Sequence, residues 1–178
     1  SLLTNLFHRV PRPKGPTISR IMQSLLVSHT QRYHRHYRSG GHIWQGRFKS
    51  PVIQNDEHLL AVLRYIEANP LRAALVQRAE QYPWSSYRLH GLGEPNNLID
   101  RLITYEDLSP LPKVRARKWA EKVHRPMDEA VLDAIRRSNA TGLPYGDESW
   151  TKRLAKRLEL DLTIRPRGRP RKSAKESN

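Results

Sequence analysis

A tyrosine and an asparagine lie four residues apart near the end of a predicted helix. Residues 55–70 begin with Asn55 and Asp56, either of which can cap a helix, and continue with an apolar stripe at helical spacing. They close on a proline that disfavours helical geometry before it. Tyr65 and Asn69 therefore lie on the same flank of this helix. A phenol and an amide one turn apart could act as a nucleophile and a metal ligand. The alternative is that Tyr65 is an ordinary interfacial tyrosine.

The composition points to a polyanionic partner. The chain has 178 residues, with 32 Lys and Arg against 17 Asp and Glu, which gives a formal charge of +15. Nucleic acid is the commonest polyanion bound by such proteins, although a basic protein without this role has the same composition. The absence of cysteine excludes disulfide scaffolds, thiolate zinc sites and cysteine nucleophiles.

The sequence contains neither an apolar run of the roughly 18 residues that a membrane span needs nor a recognisable signal peptide. We therefore expect a cytoplasmic protein, associated with the nucleoid if it binds DNA. The sequence begins with Ser1 rather than Met, as a fragment would.

A second predicted helix is basic and aromatic in its second half. Apolar residues at helical spacing predict this helix over residues 17–37, and the pair Gly40-Gly41 should end it. Arg32 and Arg35 are candidate DNA contacts. His34 and His36 could suggest a metal site. However, residues two apart on a helix point about 200° away from each other, so a helix does not aim both at one ion, although a strand would place them on one face. Since the apolar periodicity favours a helix, we expect these histidines to be solvated or to contact phosphates.

The loop 44–49 (WQGRFK) interleaves aromatic residues with cations. Such a mixture can stack on bases and pair with phosphates, so Trp44, Arg47 and Lys49 are candidate DNA contacts. Alternatively, Trp44 and Phe48 belong to the core and the cations are merely solvated. Both descriptions can hold together.

The end of the chain carries a short basic motif. Arg167, Arg169 and Arg171 stand in the sequence RPRGRPRK, and an extended Arg-Gly-Arg segment can enter a narrow minor groove. A flexible basic tail without this specificity has much the same composition. Either description favours a nucleic acid, and we expect residues 165–178 to be disordered when unbound.

Three segments together resemble the REP-associated tyrosine transposases, which belong to the HUH superfamily of single-tyrosine transposases. The segments are 42–50 (HIWQGRFKS), 63–73 (LRYIEANPLRA) and 82–87 (YPWSSY). The resemblance implies a ferredoxin-like α+β nuclease core that acts on single-stranded DNA hairpins in DNA transposition. It also implies that Tyr65 is the nucleophile, which forms a 5′-phosphotyrosine, and that Asn69 is a ligand of Mg²⁺ or Mn²⁺.

The sequence departs from this family upstream of the second predicted helix, where the family's first strands and helix are missing. The family also needs a His-hydrophobic-His pair upstream of the helix that begins near Thr17, and the segment before Thr17 contains only His8. We therefore expect the C-terminal part of the α+β core, mostly helical as it stands, over residues 1–90, with a short strand at residues 52–53. A helical extension over residues 91–164 and the basic tail over 165–178 should follow. Within the extension we predict two helices, near residues 127–138 and 147–160, after a basic segment 113–124 to which no structure is assigned.

Two functional hypotheses follow. One is an N-terminally truncated transposase that is catalytically incomplete and does not itself bind the metal ion. The other is a non-catalytic DNA-binding protein that uses the basic helix, the loop and the tail.

Overall fold

The computed structural model describes residues 1–3, 6–11, 17–100 and 102–160. The tail arginines Arg167, Arg169 and Arg171 therefore lie outside the described residues. The helices are α1 (Ile18–Tyr37), α2 (Asp56–Glu67), α3 (Asn69–Arg72), α4 (Tyr87–Leu92), α5 (Ile103–Glu106), α6 (Pro112–His124), α7 (Glu129–Thr141) and α8 (Glu148–Arg157). A 3-10 turn, Ala79–Gln81, precedes α4.

The predicted α+β fold class is wrong for the part of the chain that the structure describes. No β-sheet forms there, and the extended segments make two isolated bridges, Leu2 with Phe7 and Ile53 with Tyr145. A strand is stable when its backbone groups pair along a ladder, and the expected strand at 52–53 pairs with a single residue. The ferredoxin-like core is thus replaced by a helical assembly.

Helix α1 confirms the predicted helix but packs loosely. It ends at Tyr37 and is capped by Arg38, which adopts a left-handed conformation with φ 48°, before the glycine pair predicted to end it. Met22 is its only buried side chain among the described residues, and Ile21 and Leu25 on the same stripe are exposed. Its aromatic and cationic side chains are therefore free of the core.

Helix α2 is the central element of the core. The side chain of Asn55 accepts a hydrogen bond from the backbone amide of His58 at 3.0 Å, which confirms the predicted cap. The helix ends at Glu67, and Asn69 opens the short α3 with Pro70 in its first turn. Asn69 therefore belongs to the following turn and not to the end of the tyrosine helix.

Two apolar clusters form on opposite flanks of α2. One joins α2 to α4 and α6, and its buried members are Leu63, Ala68, Ala79, Tyr87, Trp119 and Val123. The other joins α2 to α7, and its buried members are Tyr65, Ile66, Leu132, Ile135 and Tyr145. Residues after 91 thus form much of the core around α2.

The helices after residue 91 are only partly anticipated. Helices α7 and α8 correspond to predicted helices, whereas the basic segment 113–124 had no predicted structure and forms most of α6. Trp119 and Val123 of α6 are buried, because they face α2 and α4. No described helix is both long and apolar enough to cross a membrane.

Candidate nucleic-acid interface and tyrosine site

The side chain of Tyr65 is enclosed by the helices that follow it. It is 9% exposed and packs with Leu132, Ile135 and Tyr145. The sequence placed Tyr65 beside the buried stripe of its helix, whereas the structure places it within the core. A nucleophile in this position has little access to a DNA phosphate.

Arg72 covers the ring of Tyr65. Its guanidinium carbon lies 4.4 Å from the ring centroid, and its Nη2 donates a hydrogen bond to the Tyr65 carbonyl oxygen. Its Nη1 approaches the sulfur of Met127 at 3.9 Å. Burial is the main cause that lowers the pKa of Arg72, although the group remains a cation at neutral pH.

His8 lies at the edge of the same ring. The two ring centroids are 5.7 Å apart at an interplanar angle of 72°. Burial lowers the pKa of His8, and the amino terminus and Arg72 act in the same direction. A neutral imidazole therefore packs against Tyr65 at pH 7.

The residues around Asn69 do not fit a divalent cation. Asn69 is half-buried and supplies one neutral amide oxygen. No group of three or more His, Cys, Asp or Glu side chains that could hold a metal comes together in the described ranges. The nearby guanidinium of Arg72 on the Tyr65 ring would also repel a cation there. The Mg²⁺ or Mn²⁺ implied by the resemblance thus lacks a matching set of ligands in this structure.

Glu67, the last residue of α2, carries a buried carboxylate that the sequence analysis missed. Glu67 is fully buried and accepts hydrogen bonds from Trp119 Nε1 at 2.7 Å and Ser86 Oγ at 2.5 Å. Its Oε1 also lies 2.6 Å from His90 Nδ1. These contacts join α2 to the start of α4 and to α6. The burial of Glu67 could have been predicted from its spacing, because Glu67 continues the apolar stripe of the helix four residues after Leu63.

The second half of α1 carries exposed aromatic rings. The ring centroids of Tyr33 and Tyr37 are 4.6 Å apart, and those of His29 and Tyr33 are 6.4 Å apart. Tyr37 is 62% exposed. Arg32 and Arg35, both predicted DNA contacts, are exposed on the same helix.

Trp44 packs against α1 and brings the loop 44–49 to it. Its Nε1 donates to Thr30 Oγ1 at 3.0 Å, and its ring centroid is 5.2 Å from that of His29. The side chain is half-buried, whereas Arg47 and Lys49 are exposed. The alternative that Trp44 belongs to the core is therefore partly right, since Trp44 is half-buried against α1. The loop cations remain available to a ligand.

The His34 side chain contacts the turn that follows α1. Its Nε2 lies 3.1 Å from the Gly41 carbonyl oxygen, and its Nδ1 lies 3.0 Å from Ser39 Oγ. Both ring nitrogens are thus occupied by the turn after the helix.

The structure therefore brings Arg32, Arg35, Trp44, Arg47 and Lys49 onto α1 and its adjoining loop. We call α1 residues 29–37 together with loop 44–49 the basic aromatic surface. Tyr65 and Asn69 lie instead on α2 and α3. In comparisons with known proteins, no family model, curated protein or solved structure matches the chain.

Proposed function

We propose that this protein binds single-stranded or hairpin DNA through its basic aromatic surface, as a non-cleaving relative of the REP-associated tyrosine transposases. The observation that carries the proposal is the pair of exposed, closely spaced rings of Tyr33 and Tyr37 on a helix that has no carboxylate. Exposed aromatic rings beside arginines provide stacking platforms for unpaired bases, and the arginines pair with the backbone phosphates.

The charge distribution supports the same ligand. Residues 1–55 contain no Asp or Glu, and they contain nine Lys and Arg. No carboxylate of residues 1–55 therefore repels the phosphates of an approaching DNA strand. Because electrostatic attraction to phosphates is long-ranged, a segment that carries only positive charges steers a nucleic acid toward itself.

The absence of cleavage is proposed from the surroundings of Tyr65. Attack on a phosphate would require the phenol oxygen to reach the scissile phosphorus. Tyr65 is 9% exposed, the guanidinium of Arg72 lies over its ring, and α7 packs beside it. The kinship rests on the three sequence motifs, and the binding role rests on the surface of α1.

The stacking role can be tested with two single substitutions of matched exposure. Tyr37 is 62% exposed on the basic aromatic surface, and Trp84 is 64% exposed outside it. With a fluorescein-labelled single strand of mixed sequence, Tyr37→Ala should weaken binding about five- to a hundredfold, as for the loss of one stacked base. Trp84→Ala should change the affinity less than about twofold. Equal effects of the two substitutions would contradict the proposal.

The non-cleaving role has its own assay. The protein is incubated with a 5′-labelled and 3′-labelled DNA hairpin and Mg²⁺ or Mn²⁺, and covalent products are separated by denaturing electrophoresis. We expect no adduct from the wild type or from Tyr65→Phe. An adduct from the wild type that disappears in Tyr65→Phe would show that Tyr65 is a working nucleophile.

A further inference from the structure

Helix α8 presents a cationic face that neither the family resemblance nor the proposed binding surface includes. Arg153, Lys156 and Arg157 lie within one side of this helix and are exposed, whereas Leu154 and Ala155 on the other side are buried. Within the described residues, no carboxylate forms a salt bridge with any of these three cations. Lys152 of the same helix pairs with Glu148 at 2.5 Å.

We propose that this α8 face binds the phosphate backbone of duplex DNA, so that a hairpin is held by its stem at α8 and by its unpaired part at α1. This inference rests on the proposed function and adds the duplex as a second ligand. The α8 face is defined as Arg153, Lys156 and Arg157.

The chemistry of the face favours a duplex over a single strand. The exposed side chains of α8 include no aromatic residue, so the helix offers cations without a stacking platform. A duplex keeps its bases stacked inside and presents phosphates alone, at about twice the charge density of one strand. A helix of ten residues is about 15 Å long, which is the length scale of a few successive phosphates.

The start of α8 is fixed to the chain that follows the loop 44–49. Gln54 and Asp147, the residue before α8, exchange two hydrogen bonds: Gln54 Nε2 donates to Asp147 Oδ2 at 2.9 Å, and Asp147 N donates to Gln54 Oε1 at 2.6 Å. The backbone adds two more, from Gln54 N to Tyr145 O at 3.0 Å and from Tyr145 N to Val52 O at 2.7 Å. These bonds fix the residue before α8 to residues 52–54, a few residues after the loop 44–49.

Two glycines show how closely these segments approach. A Cβ on Gly146 would collide with Gln54 Oε1 and would lie 2.7 Å from Trp150, so there is no room for a side chain there. A Cβ on Gly142 would lie 3.9 Å from the Lys49 side chain, which brings a cation of the loop beside the end of α7. The loop and the segment leading to α8 are therefore neighbours, and one hairpin could contact both.

The test compares two triple substitutions that remove equal charge from the full chain. Arg153→Gln, Lys156→Gln and Arg157→Gln neutralise the α8 face. The control neutralises three exposed cations of α6: Lys113→Gln, Arg117→Gln and Lys122→Gln. All six positions are exposed, and circular dichroism of each variant establishes that it is folded before binding is measured.

Two labelled DNA ligands are compared. One is a hairpin with a duplex stem and a single-stranded extension, and the other is a single strand with the sequence of that extension. Fluorescence anisotropy gives the affinity for each at several salt concentrations. The α8 triple variant should bind the hairpin at least about tenfold more weakly, with the slope of log K against log salt reduced by about 2–3. Its affinity for the single strand should change less than about threefold, and the α6 control should change both affinities less than about threefold.

The outcomes separate this inference from the proposed function. If the wild type binds the hairpin and the α8 and α6 variants weaken it equally, the α8 face is an ordinary solvated surface and the inference is overturned. An unchanged salt slope in the α8 variant would overturn it as well. If the wild type binds neither ligand, the proposed function itself fails.

Discussion

The guanidinium carbon of Arg72 lies 4.4 Å from the centroid of the Tyr65 ring, and the same side chain donates a hydrogen bond to the Tyr65 carbonyl oxygen. One arginine thus holds both the ring and the backbone of the residue that the sequence motif singles out as a nucleophile. The contact stabilises the turn between α2 and α3. It also places a cation on the face of the Tyr65 ring.

Replacing Arg72 should destabilise this turn without weakening DNA binding at α1. Arg72→Met removes a hydrogen bond and a cation–π contact, and we expect a loss of about 1–3 kcal/mol in the free energy of unfolding. Urea denaturation measures this change. Arg20→Met, an exposed position on α1, serves as the control and should change the stability by less than about 0.5 kcal/mol. A loss for Arg72→Met no larger than that of the control would show that the contact contributes nothing.

Removing the Glu67 carboxylate should have the largest effect on stability. Glu67→Ala leaves Trp119 Nε1 and Ser86 Oγ buried without their acceptor, so the expected loss is about 3–5 kcal/mol. Guanidinium denaturation followed by tryptophan fluorescence reports this change. Glu121 is exposed on α6, and Glu121→Ala should stay within about 0.5 kcal/mol of the wild type. A loss below about 1 kcal/mol for Glu67→Ala would contradict the structural role of the network.

His8 should make the protein less stable in mild acid. Because burial lowers the pKa of His8 in the folded chain, the unfolded chain binds more protons between the two pKa values. The contribution of His8 is complete above its unfolded pKa of about 6.5 and is lost as the pH falls through the folded value. His8→Gln should flatten the pH dependence of the unfolding free energy below about pH 6.5. His36→Gln, at an exposed position, is the control, and equal flattening by both would contradict this account.

The sequence predicted the local features of the fold better than its tertiary arrangement. The helix of α1 and the Asn55 cap follow from nearby residues, since helical periodicity and capping are local properties. The sheet was expected from the family resemblance, and the pairing of strands depends on distant segments. The extended residues 52–53 meet Tyr145 alone, so the expectation failed.

The candidate sites show the same limit. Arg35 and Arg47 are exposed, as contacts to a ligand must be, and that exposure follows from charge alone. The burial of Tyr65 depends on α7, which lies more than sixty residues later in the chain. The partners of Glu67 come from α4 and α6, and no local pattern around Glu67 identifies them.

The dependence of DNA affinity on salt shows whether the basic surfaces of this protein bind phosphates. A labelled DNA hairpin is titrated with the full chain between about 50 and 200 mM salt, and anisotropy gives the binding constant at each concentration. If the basic surfaces bind phosphates, the logarithm of the binding constant falls linearly with the logarithm of the salt concentration, because counterions are released. With six or more phosphate contacts, the affinity should fall about a thousandfold over this range. A flat response, or no binding at about 50 mM salt, would contradict the account.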